Sequence, residues 1–289
     1  MNVFTIKDLE ILSGIKAHTI RIWEQRYRFL NPCRTESNIR YYCSQELKIV
    51  LNISLLNKYG YKISHIDRMS EEEIAAGIAE LKDESALQER LINRLITYMI
   101  DLDIISFEKS LDAFILAHGS DQAINRIIFP FLDRIGILWL TRPVHPVHEH
   151  LVTNVVRRKL IAGIEGAAPL RQAMRTVLLF LPEGEHHELG LLYVYYLLRS
   201  HGVKVLYLGA DMPLKDLEFV SRYKTPDYLY THVTGGVSVG KFLSQVSRRL
   251  PDIPLVVSGR LTGTLQRKIP GEVHYKRSLP EVLDFVATL

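Results

Sequence analysis

Residues 5–27, TIKDLEILSGIKAHTIRIWEQRY, decide how the amino-terminal part of the chain folds. Thr5 can cap a helix, Ile6, Leu9 and Leu12 recur behind it at helical spacing, and Gly14 stops the helix. A second helix over 17–27 puts Ile20 and Trp23 on one face as core. It leaves Thr19, Arg21, Arg26 and Tyr27 for solvent or a ligand. Two short helices about a glycine turn predict a helix-turn-helix.

Working outward, residues 31–42, NPCRTESNIRYY, form a polar segment with Arg34 and Arg40 around a turn, followed by the β-favouring pair Tyr41 and Tyr42. This pattern predicts a two-stranded wing. Ser44 is expected to cap the next helix, SQELKIVLNISLLNKYG, which Gly60 ends, and a shorter helix follows around Ile63–Met69. From Ser70 to Gly166 the periodicity is helical, as in EEEIAAGIAELK and ALQERLINRLITYMI, and predicts a four-helix bundle. Beyond the linker GAAPL the apolar runs TVLLFLP, VKVLYLGA, DYLYTHVT, IPLVVSG and VHYKR alternate with helical stretches. Such alternation predicts a five-stranded parallel sheet with helices on both faces, a Rossmann-like (flavodoxin-like) α/β fold whose ligands bind beyond the carboxyl ends of the strands. The expected fold is therefore multidomain: an all-α winged helix-turn-helix head at 1–72, a helical bundle at 76–167 and the α/β domain at 172–289.

Composition sets the frame for these parts. The 289 residues are 47% apolar and 24% charged, which excludes disordered and collagen-like chains. Cys33 and Cys43 stand alone, without a CxxC, so neither a disulfide framework nor a zinc ribbon is expected and the setting reads as reducing and cytoplasmic. No leader or membrane span is expected. Residues 1–70 hold 11 Lys+Arg against 6 Asp+Glu, whereas the other 219 residues hold 25 against 26. The excess positive charge is confined to the head, as suits a phosphate-binding surface.

The segments FTIKDLEILSGIKAHTIRIWEQRY, RTESNIRYYCSQEL and LLNKYGYKISHI, in this order over residues 4–69, resemble the DNA-binding domain of the MerR family of transcription regulators. The resemblance implies a helix in the major groove, a wing beside the backbone, and binding as a dimer to an inverted repeat. The residue chemistry points the same way. Arg21, Arg26, Arg34 and Arg40 suit phosphates and guanine edges, while His18, Thr19, Tyr27 and Tyr41 can add hydrogen bonds. Arg21 and Arg40 are the better candidates, since Arg26 is equally well placed for an ion pair with Glu24 or Glu36.

Two further signatures resemble CarH/LitR-type regulators. Trp139, nine residues, then Glu149 and His150 match the pattern of their helical bundle, and Glu185-His186-His187-Glu188-Leu189-Gly190 matches the E/D-x-H-x-x-G motif of cobalamin-binding domains. The resemblance implies cobalamin as cofactor, in its adenosyl form (adenosylcobalamin), with His187 as the lower axial ligand of cobalt. Glu185 would hold the other ring nitrogen of that histidine. It further implies Gly190 where the corrin and its nucleotide tail approach the backbone, Thr231 and Val233 for the S-x-L element and Ser258 and Gly259 for the G-G pair that the tail passes, and Trp139, Glu149 and His150 around the upper ligand. Light-sensing relatives carry a His after the Trp, where this chain has Leu140, so a response to light, as in a photoreceptor, is a subordinate expectation.

Other readings of these residues stay open. His145, His148 and His150 with Glu149 could bind a metal, although their offsets do not share one helix face. Glu149 and His150 could form a buried hydrogen-bonded pair. Glu188 could serve the following helix N-terminus, and Tyr193, Tyr195 and Tyr196 read as helix packing. The implied partners are a double-stranded operator, a second copy of the chain as dimer or tetramer, and RNA polymerase, with no membrane. Two rival functions are a regulator whose sensor module has lost cobalamin and takes another ligand or protein, and a corrinoid-dependent methyl-transfer protein. No catalytic triad, Walker loop or zinc signature is present, so no enzyme is expected.

Overall fold

The computed structural model describes residues 3–141, 145–168, 174–234, 239–259 and 273–289, without the side chains of 137–141 and 239. The chain divides into two compact units, Met1–Val155 and Val156–Leu289.

The first unit opens with helix α1 (Ile6–Ser13), started by a capping box in which Thr5 and Asp8 satisfy each other's backbone, and ended by Gly14 at φ +74°. In α2 (Ala17–Arg26), Ile20 and Trp23 are buried. No side chain of its own N-cap residue serves that helix. Instead Glu10 reaches across the turn, where it accepts from Ala17 N at 3.2 Å and pairs with Lys16 at 3.1 Å. The turn is also fixed from below, because Ser54 Oγ donates to Ser13 O at 2.7 Å. The wing forms as expected, with β1 (Cys33–Arg34) antiparallel to β2 (Arg40–Tyr41).

Helix α3 (Ser44–Lys58) corrects the expected cap by one residue. The N-cap is Cys43, whose amide donates to Glu46 Oε2 at 2.8 Å, and Ser44 is the first helical residue. Glu46 lies three residues after Cys43, not after Ser44, and so fixes where the capping box can close. Helices α4 (Ile63–Ile66) and α5 (Glu71–Glu80) follow, then α6 (Glu84–Asp101), α7 (Ile104–Ala123), α8 (Phe129–Thr141) and α9 (Pro146–Gly166), whose second half, from Val156, belongs to the second unit. Gly119, at φ +82°, breaks α7 near its end, and a π turn (Ile124–Ile128) leads into α8. Leu95, Ile96, Phe107, Ile127 and Phe131 make the buried core of α6, α7 and α8, with the Phe107 and Phe131 rings edge to face at 5.4 Å. Between α3 and α6, Asn93 donates to Leu51 O at 3.4 Å, while Arg134 from α8 donates to Asn93 Oδ1 at 2.6 Å.

The second unit is the expected parallel sheet. Strands β3 (Thr176–Pro182), β4 (Lys204–Met212), β5 (Tyr228–Val233), β6 (Leu255–Gly259) and β7 (Val273–Lys276) lie in the order β4-β3-β5-β6-β7, every pair parallel. Helices α10 (Leu189–Ser200) and α13 (Leu279–Ala287) cover one face, where Tyr230 stacks on Phe285 at 5.9 Å. On the other face, α11 (Leu214–Lys224) and α12 (Val239–Arg249) enclose a core of Leu178, Phe180, Leu217, Leu229, Val233 and Leu243. The chain order reverses between β3 and β5, which makes the carboxyl end of β3 the switch point where ligands of such sheets bind. No helix among the described residues is long and apolar enough to cross a membrane.

Candidate DNA-binding and ligand sites

In the head, the capped α1 and the buried Ile20 and Trp23 fix which face of α2 looks outward. Arg21, Arg26 and His18 are exposed there, and His18 Nε2 lies 3.4 Å from Thr19 Oγ1. Tyr27 is only partly exposed, because its ring stacks on Phe29 at 5.6 Å as part of the cluster around Trp23. Neither candidate ion pair of Arg26 forms. The Glu24 carboxylate instead accepts from Arg40 Nε at 2.9 Å and from the Tyr42 hydroxyl. The wing is thereby tied to α2 by its own arginine. Arg34 donates to Asn38 Oδ1 at 2.6 Å across the wing turn, where Asn38 takes φ +63°, and Tyr41 is half-buried.

In the α/β unit, the end of β3 runs into the loop 183–188. Glu185 is buried and gathers four donors: His187 N at 3.1 Å, His187 Nδ1 at 2.6 Å, Thr234 N at 3.2 Å and Thr234 Oγ1 at 2.9 Å. Burial pushes the Glu185 carboxyl up, but the hydrogen bonds from His187 and Thr234 outweigh it and hold it at about 2. The His187 side chain is 64% exposed. With Nδ1–H given to a carboxylate, Nε2 is the acceptor of the ring.

Gly190 opens the first turn of α10, and the ring of His232 lies on it: a β-carbon at 190 would stand 2.3 Å from Nε2. His232 Nδ1 in turn meets Ser258 Oγ at 2.9 Å. Strand alternation puts Thr231 and Val233 on the opposite face, with the core of α11 and α12. There the Thr231 hydroxyl is buried with no partner among the described residues. Gly259 takes φ +102°, and a β-carbon there would fall 2.1 Å from Val233 O. Of the sequence candidates, the structure thus joins Glu185 to His187 and brings Gly190 and Ser258 to one histidine, but separates both groups from Thr231 and Val233.

In the bundle, Trp139 and Leu140 lie on α8 with side chains outside the described residues. Glu149 is half-buried and His150 exposed, while His148 is buried with Nδ1 at 2.9 Å from His145 O. Among the described residues no cluster of His, Cys, Asp and Glu could hold a metal ion.

Residues 4–73 match the family model described as MerR HTH family regulatory protein. Over 258 residues, 86% of each chain, the protein is 28% identical to the HTH-type transcriptional repressor CarH of Myxococcus xanthus. Over 259 residues it is 27% identical to the repressor CarA of the same organism, covering 88% of this chain and 85% of CarA. The head is a MerR-type HTH domain. Both relatives are named as repressors, and this MerR-type protein is a DNA-binding regulator, not an enzyme. Over 70% of its length the chain shares its fold with the whole of the monomethylamine corrinoid protein of Methanosarcina barkeri, at a TM-score of 0.51 and 11% identity.

Three residues were not legible as part of the loop site. Thr234 joins it because β3 and β5 are neighbours, so the residue just past β5 faces the loop just past β3. Arg157 on α9 and Tyr207 on β4 both bind Glu188, the tyrosine at 3.0 Å. Glu188 does occupy the N-cap position of α10, as expected, but its carboxylate serves Arg157 and Tyr207 and makes no cap hydrogen bond. The signal that could have found Thr234 is the strand order, which a single sequence does not carry.

Proposed function

We propose that the chain is a cytoplasmic transcription regulator whose head (1–72) binds an inverted-repeat operator and whose bundle (76–167) and α/β domain (172–289) sense a cobalamin, adenosylcobalamin best fitting the resemblance. The observation that carries the reading is the Glu185–His187 contact at 2.6 Å, at the carboxyl end of β3. The donor set fits the group: a carboxylate takes the Nδ1 proton, fixes the tautomer and presents Nε2 as a neutral nitrogen ligand for cobalt. When bound, the corrinoid supplies a cobalt–carbon bond and a large planar surface. The protein's part is to orient His187 through Glu185 and Thr234. Trp139, Glu149 and His150 are assigned to the upper ligand.

On DNA, exposed Arg21 and Arg26 are assigned to the groove and phosphates, with His18 and Thr19 adding hydrogen bonds. Arg34, Arg40 and Tyr41 belong to the wing, and Tyr27 sits at the exit of α2. A ligand that binds one assembly better than another shifts the balance of dimer and tetramer, hence operator affinity and access of RNA polymerase. Light sensitivity of the kind that uses a second histidine is not part of this reading, because Leu140 cannot ligate cobalt.

The test is to mix the purified chain with adenosylcobalamin in the dark, desalt it, and record its visible spectrum beside that of His187→Ala. Wild type is expected to retain the corrinoid with an imidazole-ligated spectrum that the variant loses. A colourless wild type would overturn the reading in favour of a regulator whose module takes another ligand or protein. One observation favours that rival, the His232 ring lying over Gly190.

A further inference from the structure

Among the described residues, the carboxyl ends of β5 and β6 carry two close approaches to glycine. The cobalamin reading gives two glycines to ligand approach, and each already faces a protein neighbour. At Gly190 the neighbour is an imidazole, with all three of its nearest atoms, Cδ2, Nε2 and Cε1 of His232, within 2.8 Å of where a β-carbon would be. At Gly259 it is the backbone of Val233. The ring is not loosely placed, because Ser258 is 2% exposed and its hydroxyl lies 2.9 Å from His232 Nδ1. Burial also keeps this imidazole neutral, which lets it rest against the helix backbone without a counter-charge.

We infer that this chain shuts its own nucleotide-tail slot: His232, latched by Ser258, fills the groove over Gly190, and the module selects corrinoids that lack a nucleotide tail. The inference rests on the cobalamin reading and deepens it by naming the class of corrinoid. Two requirements follow from the geometry. The axial corner at Glu185 and His187 lies on the loop after β3 and needs nothing from the slot, so a tail-less corrinoid can still be ligated. A tail entering beside α10, in contrast, must displace a packed ring and leave the Ser258 hydroxyl buried without that partner, a cost borne only by the tailed ligand.

The experiment uses the full chain in the dark and compares adenosylcobalamin with adenosylcobinamide, which has the same upper ligand but no nucleotide. Dissociation constants are measured by equilibrium dialysis read from visible absorbance, for wild type, His232→Ala and Ser258→Gly. Wild type is expected to bind adenosylcobinamide about tenfold or more tightly than adenosylcobalamin. Each variant is expected to gain about tenfold for adenosylcobalamin while staying within about twofold for adenosylcobinamide. The second variant leaves the histidine in place but unlatched, so the test does not depend on His232→Ala folding. A wild type that prefers adenosylcobalamin, or a ratio that neither variant changes, overturns the inference and leaves the cobalamin reading standing. Retention of neither corrinoid by any of the three proteins removes both.

Discussion

The contacts that cap the first helix of the head and tie its wing to α2 are short in sequence, whereas those that join the strands of the α/β site are long. Thr5 and Asp8 cap α1 across three residues, and Glu24 holds Arg40 across 16. Glu185 and Thr234 meet across 49 residues, and His232 and Ser258 across 26. The head presents exposed arginines on a rigid local frame, so each acts nearly alone. The sheet site gathers several donors on one buried carboxylate, so the loss of that carboxylate releases them all together. A surface that reads a regular polyanion can be built from independent charges, whereas a pocket that fixes one tautomer of one ring must be built from coupled ones.

Four perturbations break or sharpen this contrast, in order of expected effect on stability. The largest is Gly259→Ala, because the backbone is in the left-handed region and the new methyl meets the Val233 carbonyl. We expect the α/β unit to lose about 3 kcal/mol or more in a urea melt while the head keeps its helical signal. Next is Glu185→Ala, which removes the four hydrogen bonds that this buried carboxylate accepts and costs about 2–3 kcal/mol. In a double-mutant cycle with Thr234→Ala the two losses should be non-additive by about 1 kcal/mol; strict additivity would mean that the site is no more coupled than the head.

The third perturbation is acid. Burial pushes the His232 imidazole down to about 4, so the folded unit prefers its neutral form. That preference stabilises the fold fully above the unfolded value of about 6.5 and is lost as pH falls from there through 4, at a total of about 2–3 kcal/mol. The depressed Glu185 carboxyl extends the loss only lower, from the unfolded range near 4.5 down to about 2. Urea midpoints across pH 7 to 4 are expected to fall for wild type and to fall less for His232→Gln. The smallest effect on stability belongs to Arg21→Ala, expected within about 0.5 kcal/mol of wild type. The same variant should weaken operator binding and lower the salt slope by about 1, as read by binding titrations at several salt concentrations.

The same contrast governs what the sequence revealed. The helix-turn-helix, its wing and the five β runs were legible because each is announced within a dozen residues, by a cap, a glycine or an apolar period. The pairing of Glu185 with His187 was legible because two residues separate them. Thr234, Arg157 and Tyr207 were not, because their contacts depend on which strands and helices become neighbours. The Arg40–Glu24 contact was missed for a related reason: the folding back of the wing puts the buried carboxylate within reach of Arg40, although Arg26 is nearer in sequence. The start of α3 was misplaced by one residue because a thiol seldom caps a helix, and only the position of Glu46 reveals that Cys43 does.

The contact between His232 and Gly190 also constrains how this sequence can change over generations. While the imidazole is in place, any side chain at position 190 must push the ring aside. Once it is replaced by something smaller, alanine or serine becomes admissible there. Should that happen, histidine cannot return to 232 without a simultaneous second change. The pair is therefore a ratchet, and lineages that have passed it would carry a small residue at 232 together with a β-carbon at 190, never a β-carbon at 190 opposite a histidine.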